Sequence, residues 1–429
     1  MARVLIVGAG FAGMWAALGA ARARRDLGET ARDLRIDVVA PTSMLCLKPR
    51  LYERDEPVLE VDIAPLLAAV DVGFTASSVE ALDVTARAAV MRTPDGGTGR
   101  EPYDALVLAT GSRTVPPPQA WLPHVHVLDS AADASRLRRH LAALPQRPRS
   151  AGRYTAVVVG AGFTGLEIAT ELAGWLRDLA MESGDTARTV LLDRTATAGA
   201  TLGEGPQAAI AAALTQTGVV FQPAAEVRTI GSPAGAGDAA VALADGTRID
   251  AATVIWAAGM QAHPLGRAAG AVEPDGRLKV DTALRVNGHA DVFAAGDMAR
   301  AGAAPGHDTL MSCQHAMPTG RVAGHNAVRH LAGAEPIAYT QPMYVTCLDL
   351  GAAGGLFAHG WGRAVMWTGA EAKSVKRMIN GRLIAPPPAS RPDLALQLAD
   401  PTPMPVAEAD ALAARWRALL GSDTKGKAG

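Results

Sequence analysis

The chain has 429 residues, a formal net charge of −1 and 49% hydrophobic residues, enough for two or three domain cores and without the basic excess a nucleic-acid partner requires. Its three cysteines, Cys46, Cys313 and Cys347, are odd in number and form no CxxC pair, which argues against a disulfide framework and for a reducing compartment. No apolar run approaches the ~20 residues of a membrane span and the first apolar strand begins at Val4, so the expectation is a cytoplasmic protein with no signal peptide.

The chain opens on "RVLIVGAGFAG", a β-branched run, then Gly8, Gly10 and Gly13, then a segment of helical character. In a Rossmann unit the first glycine makes the tight turn, the second lets the backbone approach a pyrophosphate, and the third lets helix pack on strand. The helix amino end supplies free N–H groups for the phosphates. Next, "YDALVLATGSR" is an apolar strand ending at Ala109, Thr110 and Gly111, and the Pro-rich "TVPPPQAWLP" reads as a crossing between domains. The opening phrase then returns as "TAVVVGAGFTGLE", with Gly160, Gly162 and Gly165. One such turn is weak evidence, but two in the same strand–turn–helix context predict two dinucleotides. Two dinucleotides suit an enzyme that moves electrons between a flavin and a nicotinamide.

Downstream, "RTVLLDRT" places Asp193 at a strand end, where it would accept from the ribose 2′-OH and repel a 2′-phosphate, favouring NADH over NADPH. "ATVIWAAGMQ" ends a strand at Gly259, and "HADVFAAGDMAR" ends one at Gly296 and Asp297. Alternating runs in "MYVTCLDL" and "RAVMW" predict a small sheet near the C-terminus, and "VAEADALAARWRALLG" has a helical spacing.

This set resembles the two-dinucleotide flavoprotein superfamily of pyridine-nucleotide oxidoreductases. "CLKPRLYE" (with Pro49) and "MSCQHAMPTGRVAGHNAV" (with Gln314, His315 and Ala316) narrow the resemblance to type II NADH dehydrogenases and their soluble relatives. It implies an α/β fold of two Rossmann-like dinucleotide-binding domains, the FAD domain interrupted by an inserted NAD domain, plus a small C-terminal region. The expected boundaries are 1–115 and 285–335 for the FAD domain, 116–284 for the NAD(P)H domain, and 336–429 for the C-terminal region with its tail helix. The resemblance places Asp297 on the ribityl–phosphate chain of FAD. It places Gln314, His315 and Ala316 at a helix start against the flavin, and Glu167 at the nicotinamide–flavin junction. Lys48 and Lys376 are candidates for positive charge near the acceptor. No residue is assigned to a metal.

One departure stands out. The second strand of the first unit, "LRIDVVAPTS", puts Ala40 where the ribose-binding acid belongs. Asp37 falls within the strand, which leaves Thr42 and Ser43 as weak substitutes. The implied reaction passes hydride from NADH to flavin N5, then two electrons to a quinone-like or other small organic acceptor. Three alternatives stay open: a soluble flavin oxidoreductase acting on a small organic substrate, a single-cysteine disulfide reductase using Cys46, and an NADH-sensing flavoprotein without fast turnover. A weak peripheral membrane contact and a homodimer are equally open.

Overall fold

The computed structural model describes residues 2–55, 57–232 and 238–403; the tail segment 406–421, read above as a helix, lies outside them. β1 (Arg3–Val7), β2 (Arg35–Ala40), β3 (Gly73–Ala76) and β4 (Ala105–Leu108) run parallel, with α1 (Phe11–Leu27) following β1. Val4, Leu5 and Ile6 are fully buried, as are Leu106 and Val107 beside them. A parallel strand covered on both faces has no polar side, which is why these runs are continuously aliphatic. Each such side chain stabilises the fold by ~1.5–3 kcal/mol.

The second unit repeats this plan. β5 (Thr155–Val159), α2 (Phe163–Glu182), β6 (Arg188–Leu192), β7 (Val219–Gln222) and β8 (Thr253–Trp256) form a parallel sheet in the order β7-β6-β5-β8. The duplication extends to a feature the sequence did not suggest. Between its third and fourth strands each unit inserts a three-stranded antiparallel sheet, residues 78–102 in the first and 227–251 in the second.

β9 (Val292–Ala294) then returns to the first sheet and pairs with β4, completing the order β9-β4-β1-β2-β3. The first sheet is therefore built from both sides of the second unit. The two connections run together as a ribbon, Ser112–Thr114 antiparallel to Met260–Ala262.

α3 (Cys313–Leu331) lies along α1 at a spacing only glycine permits. A Cβ on Gly324 would sit 1.9 Å from the Ala16 carbonyl oxygen, and one on Gly320 2.4 Å from that of Ala12. Pro318 lies inside α3 and cannot bond the carbonyl of Gln314; Gln341 Nε2 donates to that oxygen instead, at 3.2 Å.

β10 (Val345–Asp349), β11 (Gly355–His359) and β12 (Ala364–Thr368) form an antiparallel meander, followed by α4 (Gly369–Met378). It docks on α2 through Gly351, where φ is +59° and a Cβ would lie 2.4 Å from the Thr170 carbonyl oxygen.

Candidate functional site

The two glycine turns have the same geometry. Gly8 (φ +115°) and Gly160 (φ +105°) each press against the end of the fourth strand of their unit. A Cβ there would meet Ala109 O at 2.3 Å or Ala257 O at 2.5 Å. The third glycines are as constrained: a Cβ on Gly13 would lie 1.8 Å from Gly8 O, and one on Gly165 1.7 Å from Gly160 O. The middle glycines differ. Gly10 and Gly162 sit at the N-caps of α1 and α2, and a Cβ on either would meet nothing within 4 Å. Two helix amino ends thus face open space with their backbone bare, the arrangement a pyrophosphate needs.

Both turns open into one continuous cleft of about 1730 Å³, lined from Gly8 and Gly10 through Thr110, Lys48 and Asp297 to Gly160, Gly162 and Asp193. Gly111, Gly259, Pro49, Ala109, Ala316, Gln314, Glu167 and Lys376 also line it. Gly13, Gly165, Gly296 and His315 do not reach its surface.

In the middle of the cleft, Asp297 accepts from Ser112 Oγ at 2.5 Å. Burial pushes its carboxyl up, against the opposing Ser112 hydrogen bond and the charge of Lys48. Lys48 Nζ donates to Ser112 O at 2.9 Å and lies 3.7 Å from Asp129, so one short stretch of backbone ties the lysine and the aspartate together. Pro49 O accepts from Asn380 Nδ2 at 3.1 Å, which fixes this segment to the C-terminal region.

Deeper in, Glu167 Oε1 is 2.9 Å from Lys376 Nζ and accepts from the Asp349 N–H at 3.0 Å. Glu167 is 6% and Lys376 7% exposed. Burial raises the Glu167 carboxyl against the pull of Lys376. Burial alone would lower Lys376, but the Glu167 charge and hydrogen bond, together with Cys347 and Cys313, outweigh it and hold the ammonium protonated well beyond the ordinary lysine range. Tyr52 packs its ring 6.0 Å from Lys376 Nζ, and its buried hydroxyl has no hydrogen-bond partner among the described residues. The segment "CLKPRLYE" contains Tyr52 without singling it out, because its lysine neighbour sits on a helix more than three hundred positions later.

Gln314 and His315, expected at a helix start against the flavin, both contact the C-terminal region. Gln314 clamps β10: its Nε2 donates to Val345 O at 3.1 Å and its Oε1 accepts from Val345 N at 3.0 Å. One bond at each end of the amide joins α3 to the meander, and Gln314 still lines the cleft with its second N–H unspent. His315, one step further around the helix, is 1% exposed and stacks between α3 and the C-terminal region, 5.7 Å from Tyr344 and 5.8 Å from Trp361. Burial lowers its imidazole to about 4, so it is neutral. It supports the cleft from behind.

In the second unit Asp193 Oδ2 accepts from the Ala161 N–H at 2.6 Å, and Oδ1 accepts from Thr195 N and Oγ1 at 2.8 and 2.7 Å. Burial works against ionisation, but these hydrogen bonds prevail and hold the carboxyl below its ordinary value. The strand registers align the two units: Val7 pairs with Val39 and Val159 with Leu192, so Ala40 occupies the place that Asp193 occupies in the second unit. Asp37 is buried between Arg3 (2.6 Å) and Arg35 (2.7 Å), and Ser43 Oγ donates to Asp62 at 2.6 Å. Of the two hydroxyls weighed for the ribose, only Thr42 lines the cleft.

All three cysteines are free and line the cleft. Burial pushes Cys347 up to about 12 and Cys313 to about 11, and raises Cys46 against the charge of Lys48. Among the described residues no group of side chains could hold a metal ion, and no helix is long and apolar enough to cross a membrane.

Two bare helix ends facing one cleft, in duplicated units with an acid, Asp193, at the second-strand end of the second, define a two-dinucleotide oxidoreductase. The chain belongs to the pyridine nucleotide-disulphide oxidoreductase family, whose model matches residues 2–320, and it is an NAD(P)H-dependent flavoprotein of that family. It is 40% identical over 398 residues to the NADH dehydrogenase-like protein Rv1812c of Mycobacterium tuberculosis, covering 92% of this chain and 97% of that one. It is 32% identical over 368 residues to the type II NADH:quinone oxidoreductase Ndh of the same organism, covering 78% and 74%. Among solved structures, NDH2 of Plasmodium falciparum in complex with NADH shares the fold with a TM-score of 0.73 at 11% identity, covering 93% of this chain and 97% of that one.

Proposed function

We propose that the protein oxidises NADH through FAD held by the first unit and delivers two electrons to a quinone-like or other small organic acceptor. The observation that carries this reading is the single cleft into which both glycine turns open. FAD, when bound, would supply the two-electron chemistry that links the nicotinamide to the acceptor.

The protein's part is to bind and orient. The amino ends of α1 and α2 receive the two pyrophosphates, Asp297 and Lys48 line the path between them, and Asp193 selects the ribose of NADH. Fixing both nucleotides in one cleft makes the transfer effectively intramolecular. Glu167 and Lys376 form a rigid floor at the junction of second unit, meander and α4. The partly exposed Leu310 and Leu383, with Ile379, line the cleft where it meets the C-terminal region and give an apolar approach suited to a planar acceptor. Relatives named for quinone reduction support that choice, among them Ndh and, at 27% identity, the demethylphylloquinone reductase NdbB of Synechocystis.

The raised thiols weigh against a disulfide relay, which needs a thiolate as nucleophile. Steady-state NADH oxidation with a short-chain quinone tests the reading. Turnover that depends on the quinone supports it. FAD reduction by NADH with no turnover on any quinone would refute a quinone as the acceptor.

A further inference from the structure

The first unit lacks the carboxylate that the second carries at Asp193, yet the neighbouring strand end supplies a polar group the second unit lacks. In each unit the carbonyl at the end of the second strand accepts from an N–H just beyond the third. The pair is Ala40 O with Ser77 N at 2.9 Å in the first, and Asp193 O with Ala225 N at 2.8 Å in the second. Equivalent backbone positions therefore read Ala40 and Ser77 on one side, Asp193 and Ala225 on the other. The hydrogen-bonding side chain has moved one strand across.

Ser77 is 1% exposed, lines the cleft, and its Oγ has no hydrogen-bond partner among the described residues. A buried hydroxyl left unpaired costs ~1–3 kcal/mol. The protein gains nothing from it unless a ligand completes the bond. The other candidates nearby are spent or charged elsewhere: Ser43 on Asp62, Asp37 on Arg3 and Arg35. Thr42 is exposed and its Oγ1 accepts from Met44 N at 3.2 Å, so water can satisfy its O–H more freely than that of a buried hydroxyl.

We propose that Ser77 Oγ hydrogen-bonds the adenosine half of FAD, replacing with a neutral hydroxyl the acid missing at Ala40. The inference rests on FAD occupying the first unit, as read above. A hydroxyl can both donate and accept, so it serves the adenosine without adding a negative charge to the cleft.

The test measures binding to apo-protein by flavin fluorescence and by competition with ADP, for wild type, Ser77→Ala and Ser77→Thr. Losing one neutral hydrogen bond is expected to weaken FAD about fivefold and ADP by the same factor. Ser77→Thr keeps the hydroxyl and should bind as wild type, and NADH binding to the second unit should not change. The melting temperature of apo Ser77→Ala should equal or exceed that of apo wild type, since the Oγ holds nothing in the protein. Unchanged FAD and ADP affinity in Ser77→Ala would overturn the inference, as would a lowered apo melting temperature with both affinities falling. Wild-type apo-protein that binds no FAD would instead refute the functional reading itself.

Discussion

Glu167 Oε1 lies 2.9 Å from Lys376 Nζ, and each side chain is less than a tenth exposed. Their elements belong to different parts of the chain, α2 of the second unit and α4 behind the meander, so the pair locks the C-terminal region onto the second unit. Removing one partner strands the other as a buried charge. Lys376→Met is expected to cost about 3–5 kcal/mol in urea denaturation, and Glu167→Gln combined with Lys376→Met to recover most of it. Since Lys376 is raised, its contribution is complete below the ordinary lysine value and is lost as pH rises through the folded one. A single variant as stable as wild type at neutral pH would show that the pair does not hold the floor together.

The glycines separate binding from folding. At Gly10 and Gly162 a side chain meets only the open cleft, so Gly10→Val and Gly162→Val should fold. Gly10→Val is expected to be colourless, and Gly162→Val to keep its flavin colour but lose reduction by NADH. Gly13→Ala or Gly165→Ala drives a Cβ to under 2 Å from a carbonyl oxygen and should lower the yield of folded protein. Equal loss of FAD in both valine variants, read from the flavin absorbance, would contradict the assignment of the two units.

Asp193 is held ionised by the hydrogen bonds from Ala161 and Thr195. Facing the ribose as proposed, this charge would repel a 2′-phosphate, so flavin reduction should be faster with NADH than with NADPH. Asp193→Ala is expected to narrow that ratio by about tenfold, the effect of ~1.4 kcal/mol. An unchanged ratio in stopped-flow measurements would mean the carboxylate does not face the ribose.

Cys313 and Cys347 are pushed up to about 11 and about 12, and Cys46 is raised as well. At pH 8 these thiols are protonated, and alkylation by iodoacetamide should be slower than for a free cysteine, speeding up only as pH climbs through those values. Replacing all three by Ser or Ala should leave hydride transfer from NADH largely intact. Rapid labelling of Cys46 at neutral pH with loss of turnover would favour the single-cysteine reading.

Local pattern carried much of this. Each GAG turn lies between an aliphatic strand and a helix, so the roles of Gly8, Gly10 and Gly13 and of their counterparts could be read without a structure, as could the missing acid at Ala40. What could not be read depends on distant partners. Lys376 stood out as a candidate for positive charge near the acceptor, but its pairing with Glu167 follows from how Gly351 lets the meander approach α2. Gln314 and His315 were recognised by motif, yet motif does not say which way successive helical side chains point; Val345 and the Tyr344–Trp361 stack decide that. Ser77 had no signature at all. It became visible only when its backbone bond to Ala40 was set beside that of Ala225 to Asp193.

Anaerobic double-mixing stopped flow on the FAD-loaded protein tests the central claim most directly. NADH is added first and the visible flavin band followed, then a quinone or a small disulfide is added. The account predicts that NADH bleaches the band without a long-wavelength thiolate–flavin absorbance, that the quinone restores it, and that the disulfide does not. A band left bleached by quinone but restored by the disulfide, in a manner lost with Cys46→Ser, would contradict it.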